Sequence, residues 1–191
     1  MIERLILPYA APEPEGLTSH AAVALIVGPK DELLFIRRAV REGDPWSGDM
    51  AFPGGRAERT DRSDRETAER ETWEEIGLDL SAGVYVGALP VRQSPLRDPK
   101  FGFGIFPFVY RVAGWPAFVP SDEVAAVVPF AMERLLAGEG RGEFRYQGWG
   151  VDRVVPCVRL DDTLIWGLTL RMLDDLLERV SGRQGGPDWF R

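Results

Sequence analysis

Apolar residues in this chain gather mostly in short runs rather than long helical stripes. HAAVALIVG at 20–28 is an almost unbroken run ending in glycine, which predicts a strand buried on both faces. GPKD then predicts a turn, and ELLFIRR at 32–38 predicts a second strand returning beside the first. AVREGDPWSGD at 39–49 reads as a polar loop, closed by the short apolar segment MAFPGG at 50–55. GVYVGALPV at 83–91 and FGFGIFPFVYRV at 101–112 predict strands flanking a loop rich in proline and arginine. EVAAVVPF at 123–130 predicts a strand that leads into a short helix, AMERLLAG at 131–138. GEFRYQ and RVVPCVRL predict two further short strands.

The helical period is clearest in two places. Ser63-Asp64-Arg65-Glu66 fits a capping box, and Gly77 fits a left-handed stop, so a helix is expected over 64–76. Near the end, Asp161 or Asp162 can cap a helix running to about Val180. Its apolar stripe would be Leu164, Leu168, Met172, Leu173, Leu176, Leu177 and Val180. Strands interleaved with a few helices predict α/β or α+β layering, and the strand-rich middle argues against a regular doubly wound fold. The expected organisation is an irregular lead-in over 1–18, one domain over 19–181 and a tail over 182–191.

Composition narrows the function classes. The 191 residues suit one domain, and the net charge of −7 argues against a broad nucleic-acid-binding face. A phosphate substrate stays open, because a bound cation can reverse the local field. One cysteine and one histidine exclude an internal disulfide framework, a thiolate zinc cluster and a multi-histidine metal site. His20 is read as a strand-edge residue. With no leader pattern and no apolar run near 20 residues, a cytoplasmic protein without a membrane partner is expected.

The chemistry points to RETWEEIGL at 70–78. Glu71, Glu74 and Glu75 crowd the last turn of the expected helix, where like charges repel and oppose the macrodipole at a cost of roughly 1–2 kcal/mol. Thr67, Ala68, Glu71, Glu74, Glu75 and Leu78 share one face, while Thr72 and Ile76 point to a core. The spacing offers one clear supporting pair, Glu66 with Arg70. A hard divalent cation would turn the repulsion into binding. The plainer reading, a solvated acidic helix, does not account for the glycines of AFPGG placed just before it.

GGRAERTDRSDRETAERETWEEIGL resembles the Nudix box, the signature of hydrolases acting on nucleoside diphosphates linked to another group. The family pattern, G-x5-E-x7-REUxEExGU, starts here at Gly55 and finishes with Arg70 to Leu78. Asp61 replaces the first glutamate, the next spacing is eight residues rather than seven, and Thr72 occupies an apolar position. The resemblance implies a Nudix-type mixed β-sheet sandwiched between α-helices. It implies that Glu71, Glu74 and Glu75, with the Gly54 carbonyl, hold Mg²⁺ or Mn²⁺, and that Arg70 braces the glycine loop. The resemblance implies that the general base is a box glutamate, Glu74, or a glutamate on a later loop, here Glu123 of SDEV, for which an ordinary polar turn is the plainer reading.

Upstream, LLFIRRAVREGDPWSGDMAFPGG resembles the motif of coenzyme A diphosphatases, LLTxRSx3Rx3Gx3FPGG, and LIWGLT resembles the start of that subgroup's final helix. Arg38 stands where serine is expected, and Asp44 falls where the second motif arginine belongs. Arg37, Arg38 and Arg41 could clamp phosphate, Arg37 being best placed by spacing, and Trp46, Phe101 or Phe103 could stack a base. The expected substrate is coenzyme A or an acyl derivative. The alternatives are ADP-ribose, dinucleotides or nucleotide sugars, or, in another class, a sensor that binds a nucleotide without cleaving it. A homodimer is left open.

Overall fold

The computed structural model describes residues 17–44, 46–93, 102–148 and 150–182. The N-terminal lead-in before residue 17, most of the loop after residue 93, Phe101 and the tail beyond 182 lie outside the described residues.

β1 (Leu17–Val27) and β2 (Glu32–Arg38) form where the apolar runs predict them and pair antiparallel. β3 (Met50–Ala51) pairs β2, and β4 (Gly54–Arg56) pairs β1. After the helix α1 (Asp64–Ile76) come β5 (Val84–Ala88), β6 (Arg92–Gln93), β7 (Gly102–Arg111) and β8 (Val124–Ala131). The main sheet runs β3-β2-β1-β7-β5, with β6 on β7 and β8 on β2. β1 and β7 are parallel and the other pairings antiparallel, so the sheet is mixed. A short helix α2 (Met132–Leu136) leads to a second sheet of β9 (Arg141–Gly148), β10 (Val151–Leu160) and β11 (Thr163–Trp166). The helix α3 (Gly167–Ser181) ends the described chain.

Alternation along the strands builds two cores. Ala22, Ala24, Ile26, Leu34 and Ile36 face Ala68 and Ile76 of α1. Val23, Leu25, Leu33 and Phe35 face the opposite way, onto Leu170, Leu173 and Leu176 of α3 and Val158, Leu160 and Ile165 of the second sheet. β1 is thus buried on both faces, which is why its sequence reads as a continuous apolar run rather than an alternating one. The expected mixed sheet between helices is observed. Among the described residues no helix is long and apolar enough to cross a membrane.

The last helix departs from expectation. Asp161 and Asp162 do not cap it; they form the tight turn between β10 and β11, with Asp161 at a φ of 53°. Residues 163–166 pair with β10 as a strand, and the helix starts only at Gly167. So short a segment, Thr163 followed by three apolar residues, fits a strand as well as a helix stripe, and here it pairs with the edge of β10.

Candidate active site

α1 begins and ends as its sequence requires. The Ser63 hydroxyl accepts the Glu66 N–H at 3.2 Å, and Gly77 takes φ 68° with its N–H on the Trp73 carbonyl. The capping box is half formed, since Glu66 reaches instead to the Arg62 N–H and guanidinium. The expected Glu66–Arg70 pair is therefore not made: Arg62 takes the glutamate, and Arg70 turns to Asp61. Thr72 and Ile76 point into the core, both fully buried.

The acidic face meets the glycine loop. The Glu75 carboxylate, buried to 5% exposure, accepts the Gly54 N–H at 2.9 Å. The Glu71 carboxyl lies so close to Gly55 that a Cβ there would fall 2.5 Å from it. Burial pushes Glu75 up to about 8, the negative charges of Glu71 and Glu123 adding to the effect against the Gly54 hydrogen bond. Burial also raises Glu71, with Glu74 and Glu123 adding repulsion against the pull of Arg70. Glu74 is mostly exposed and lies on Arg70 at 2.8 Å.

Arg70 organises this region. It donates to both oxygens of Asp61, at 2.9 and 3.0 Å, and to the Arg56 carbonyl at 3.0 Å. Its remaining nitrogen lies 3.1 Å from Glu71. The bond to Arg56 ties α1 to β4, the strand that begins at the two glycines. Asp61 is almost buried and also accepts from the Thr67 hydroxyl and the Glu58 N–H. These donors, Arg70 foremost, hold its carboxyl well below the usual carboxylate range. Such a group stabilises the fold above pH about 4 and stops doing so as pH falls through its own low pKa. Asp61→Asn should accordingly cost on the order of 2–3 kcal/mol at neutral pH. Thermal melts against pH should show the gap from wild type narrowing in strong acid.

The three arginines of the upstream motif go to three places. Arg37 pairs with Asp162 at 2.8 Å, and by strand alternation it faces the α3 side of the sheet. Arg38 lies on the α1 side, where its charge reaches Glu75, and it donates to Asp44 at 2.8 Å. Burial pulls the Asp44 carboxyl up, but the hydrogen bonds from Arg38 and the Trp46 N–H outweigh this and hold it low. Arg41 donates to Glu123 at 2.8 Å. The Asp44–Arg38 pair was not legible by matching one motif position at a time, although the two departures from the motif, a gained cation and a gained anion, are complementary. Nor was the bond from the Trp166 indole to Asp49, which ties the same loop to the second sheet.

Glu123 reaches the site through the backbone. The Val119 N–H bonds to the Ile76 carbonyl at 3.0 Å and the Ser121 N–H to the Glu75 carbonyl at 2.8 Å, so this segment satisfies free carbonyls at the end of α1. A bulge then shifts the β2–β8 register next to Arg38. Phe103 lies beneath the Arg56 guanidinium, 5.7 Å from its ring centre, and Trp46 is exposed. His20 pairs with Asp64 at 2.8 Å, tying β1 to the start of α1.

The donor chemistry fits a hard divalent cation: carboxylates pressed against a glycine backbone, with burial and mutual repulsion opposing their charged forms. Among the described residues, no three Asp, Glu, His or Cys side chains converge as a preformed metal cluster, and Arg70 engages Glu71 and Glu74.

Residues 17–146 match the family described as the NUDIX domain. The chain is 31% identical over 182 residues to a Nudix hydrolase termed NudL from Pectobacterium atrosepticum, covering 92% of this chain and 89% of that protein. Its fold resembles that of a MutT protein from Methanosarcina mazei Go1, at a TM-score of 0.55 and 19% identity over 90% of this chain and 100% of that one. The NUDIX domain of Shewanella oneidensis NrtR, solved with ADP ribose, gives a TM-score of 0.55 at 16% identity over 96% of this chain and 99% of that one.

Proposed function

This chain belongs to the Nudix hydrolase family, an enzyme acting on pyrophosphate bonds, and from that premise we propose that it splits the P–O–P bridge of a nucleoside-diphosphate-linked metabolite with Mg²⁺ or Mn²⁺ bound at α1. The observation that carries this reading is the pair of carboxylates, Glu71 and Glu75, held against Gly54 and Gly55 at the mouth of the sheet. These two would hold the cation, with Glu74 and the Gly54 carbonyl as further ligands. When bound, the metal would neutralise diphosphate oxygens and lower the pKa of a water.

The protein's own groups supply positioning and proton handling. Arg70, locked on Asp61, fixes the distance between the glycine loop and the acids. Arg38, on the α1 side, is the arginine that would meet phosphate oxygens, in competition with its partner Asp44, whereas Arg37 pairs with Asp162 on the other face. Water attacks one phosphorus in line, the leaving phosphate departs, and a carboxylate takes the water's proton. Glu123 is the acceptor favoured of the two candidates, because its charge acts on both Glu71 and Glu75, whereas Glu74 acts on Glu71 alone; each is paired with an arginine, Glu123 with Arg41 and Glu74 with Arg70.

Coenzyme A or an acyl derivative is the first substrate reading, resting on Leu33, Leu34, Arg37, Gly48, Phe52, Pro53, Gly54 and Gly55 of the upstream motif. ADP-ribose, dinucleotides and nucleotide sugars form the second. The Asp44–Arg38 pair favours them, since Asp44 neutralises a cation that a third phosphate would need. Incubating the purified protein and Mg²⁺ with each class, and separating the phosphate-bearing products, decides between them. Cleavage of coenzyme A into two phosphorylated products is the expected result. Turnover of ADP-ribose with coenzyme A left intact would overturn the first reading, and nucleotide binding without any product would make the protein a sensor.

A further inference from the structure

We propose that Arg41 is a positioning residue that holds Glu123 at the mouth of the site, rather than a clamp on substrate phosphate. This rests on the reading of Glu123 as proton acceptor. Glu123 stands near two other acids, its charge acting on both Glu71 and Glu75. Repulsion between like charges favours a carboxylate turned away from those acids into water. The backbone is held, through the Ala39 N–H on the Glu123 carbonyl at 2.8 Å and the Ser121 anchor on α1, but that does not orient the carboxylate. Arg41 Nη1, 2.8 Å from Glu123 Oε1, supplies the opposing pull.

Arg41 is itself built to stay in place. The Ser47 hydroxyl accepts the Arg41 N–H at 2.9 Å and donates to the Arg41 carbonyl at 2.8 Å, clasping both backbone groups of one residue. The Asp44 N–H also bonds to that carbonyl, at 3.2 Å. Such a clasp suits a side chain with one fixed partner better than one that must follow a mobile ligand. The ion pair joins residues 82 apart in the chain and is about half exposed on both sides. A pair so exposed contributes little to stability, so its effect on the reaction can be read with the fold intact.

The test is steady-state kinetics with Mg²⁺ on the diphosphate that the purified protein cleaves best, alongside thermal melts. Arg41→Gln should lower kcat about 10–100-fold through misplacement of Glu123. It should leave KM within about twofold and the melting temperature unchanged. Arg41→Lys should restore part of kcat, and Ser47→Ala should lose a smaller part. Adding Arg41→Gln to Glu123→Gln should cost nothing further, because the two act as one unit. A rise in KM with kcat intact, or losses that multiply in the double variant, would overturn the proposal by making Arg41 a substrate clamp. If Glu123→Gln is impaired and Arg41→Gln is not, the positioning role alone fails. If Glu123→Gln itself keeps full kcat, the reading of Glu123 as acceptor fails and takes this proposal with it.

Discussion

Glu75→Gln should abolish most of the diphosphatase activity while making the metal-free protein more stable in alkali. The amide keeps the shape of the side chain and still offers an oxygen to the Gly54 N–H, so the packing at 5% exposure is preserved. What disappears is a negative charge that burial disfavours. In wild type the carboxyl is raised from the usual 4.5 to about 8. A group raised in this way contributes its stability below the unfolded pKa and loses it as pH climbs through the folded one. Between those two values, metal-free wild type should therefore soften, whereas the variant should not. Their melting temperatures should be close at pH 5 and differ by several degrees at pH 9, the variant melting higher. Mg²⁺ should raise wild type at pH 9 and leave the variant almost unmoved. Activity at saturating Mg²⁺ should fall at least about 10²–10³-fold, the scale on which one electrostatic group acts in a preorganised site. A variant that is neither stabilised nor inactive would mean that Glu75 has no part in metal binding and carries no burial penalty.

Substitution of the two loop glycines should separate the fold from the site. Gly54 has a φ of 148°, and a Cβ on it would fall 2.2 Å from the Ala22 carbonyl oxygen and 2.6 Å from the Val23 Cα. Those atoms belong to β1, the strand buried on both faces, and cannot give way. Gly54→Ala should cost about 3–5 kcal/mol through overlap and backbone strain, lowering the melting temperature by on the order of 10 °C. A Cβ on Gly55 would instead meet the Glu71 carboxyl, 2.5 Å away, at the free end of a side chain that can swing. Gly55→Ala should fold almost normally and lose activity, because Glu71 is displaced from the glycine backbone. Melting curves and initial rates on the two variants check both halves, and a fully active Gly55→Ala would contradict the placement of Glu71.

Much of α1 was legible because its signals are local. Ser63 and Gly77 fix the ends, and the burial of Thr72 and Ile76 follows from a 100° step per residue. β2 was legible to its bounds for the same reason, a short apolar run punctuated by a turn. What escaped depends on choices between alternative partners or faces that local spacing does not decide. Arg37 and Arg38 are neighbours in sequence, yet strand alternation sends them to opposite faces, and only the position of α1 decides which face holds the acids. Arg70 could pair with Glu66 by spacing, but Asp61 offers two oxygens from a nearly buried position, and a bidentate pair there outweighs an exposed helical one. The turn at Asp161 and Asp162 was ambiguous because aspartate serves a helix cap and a tight turn alike.

We propose that the crowded carboxylates of α1 are tolerable because they are built to hold divalent cations. Titration of Mn²⁺ followed by electron paramagnetic resonance tests it most directly, on wild type and on Glu71→Gln/Glu75→Gln, each with and without a non-cleavable nucleoside diphosphate analogue. Wild type should take up Mn²⁺, more tightly with the analogue present, and the double variant should leave the free-ion signal unchanged. Equal uptake by both proteins, or none by either, would contradict the account.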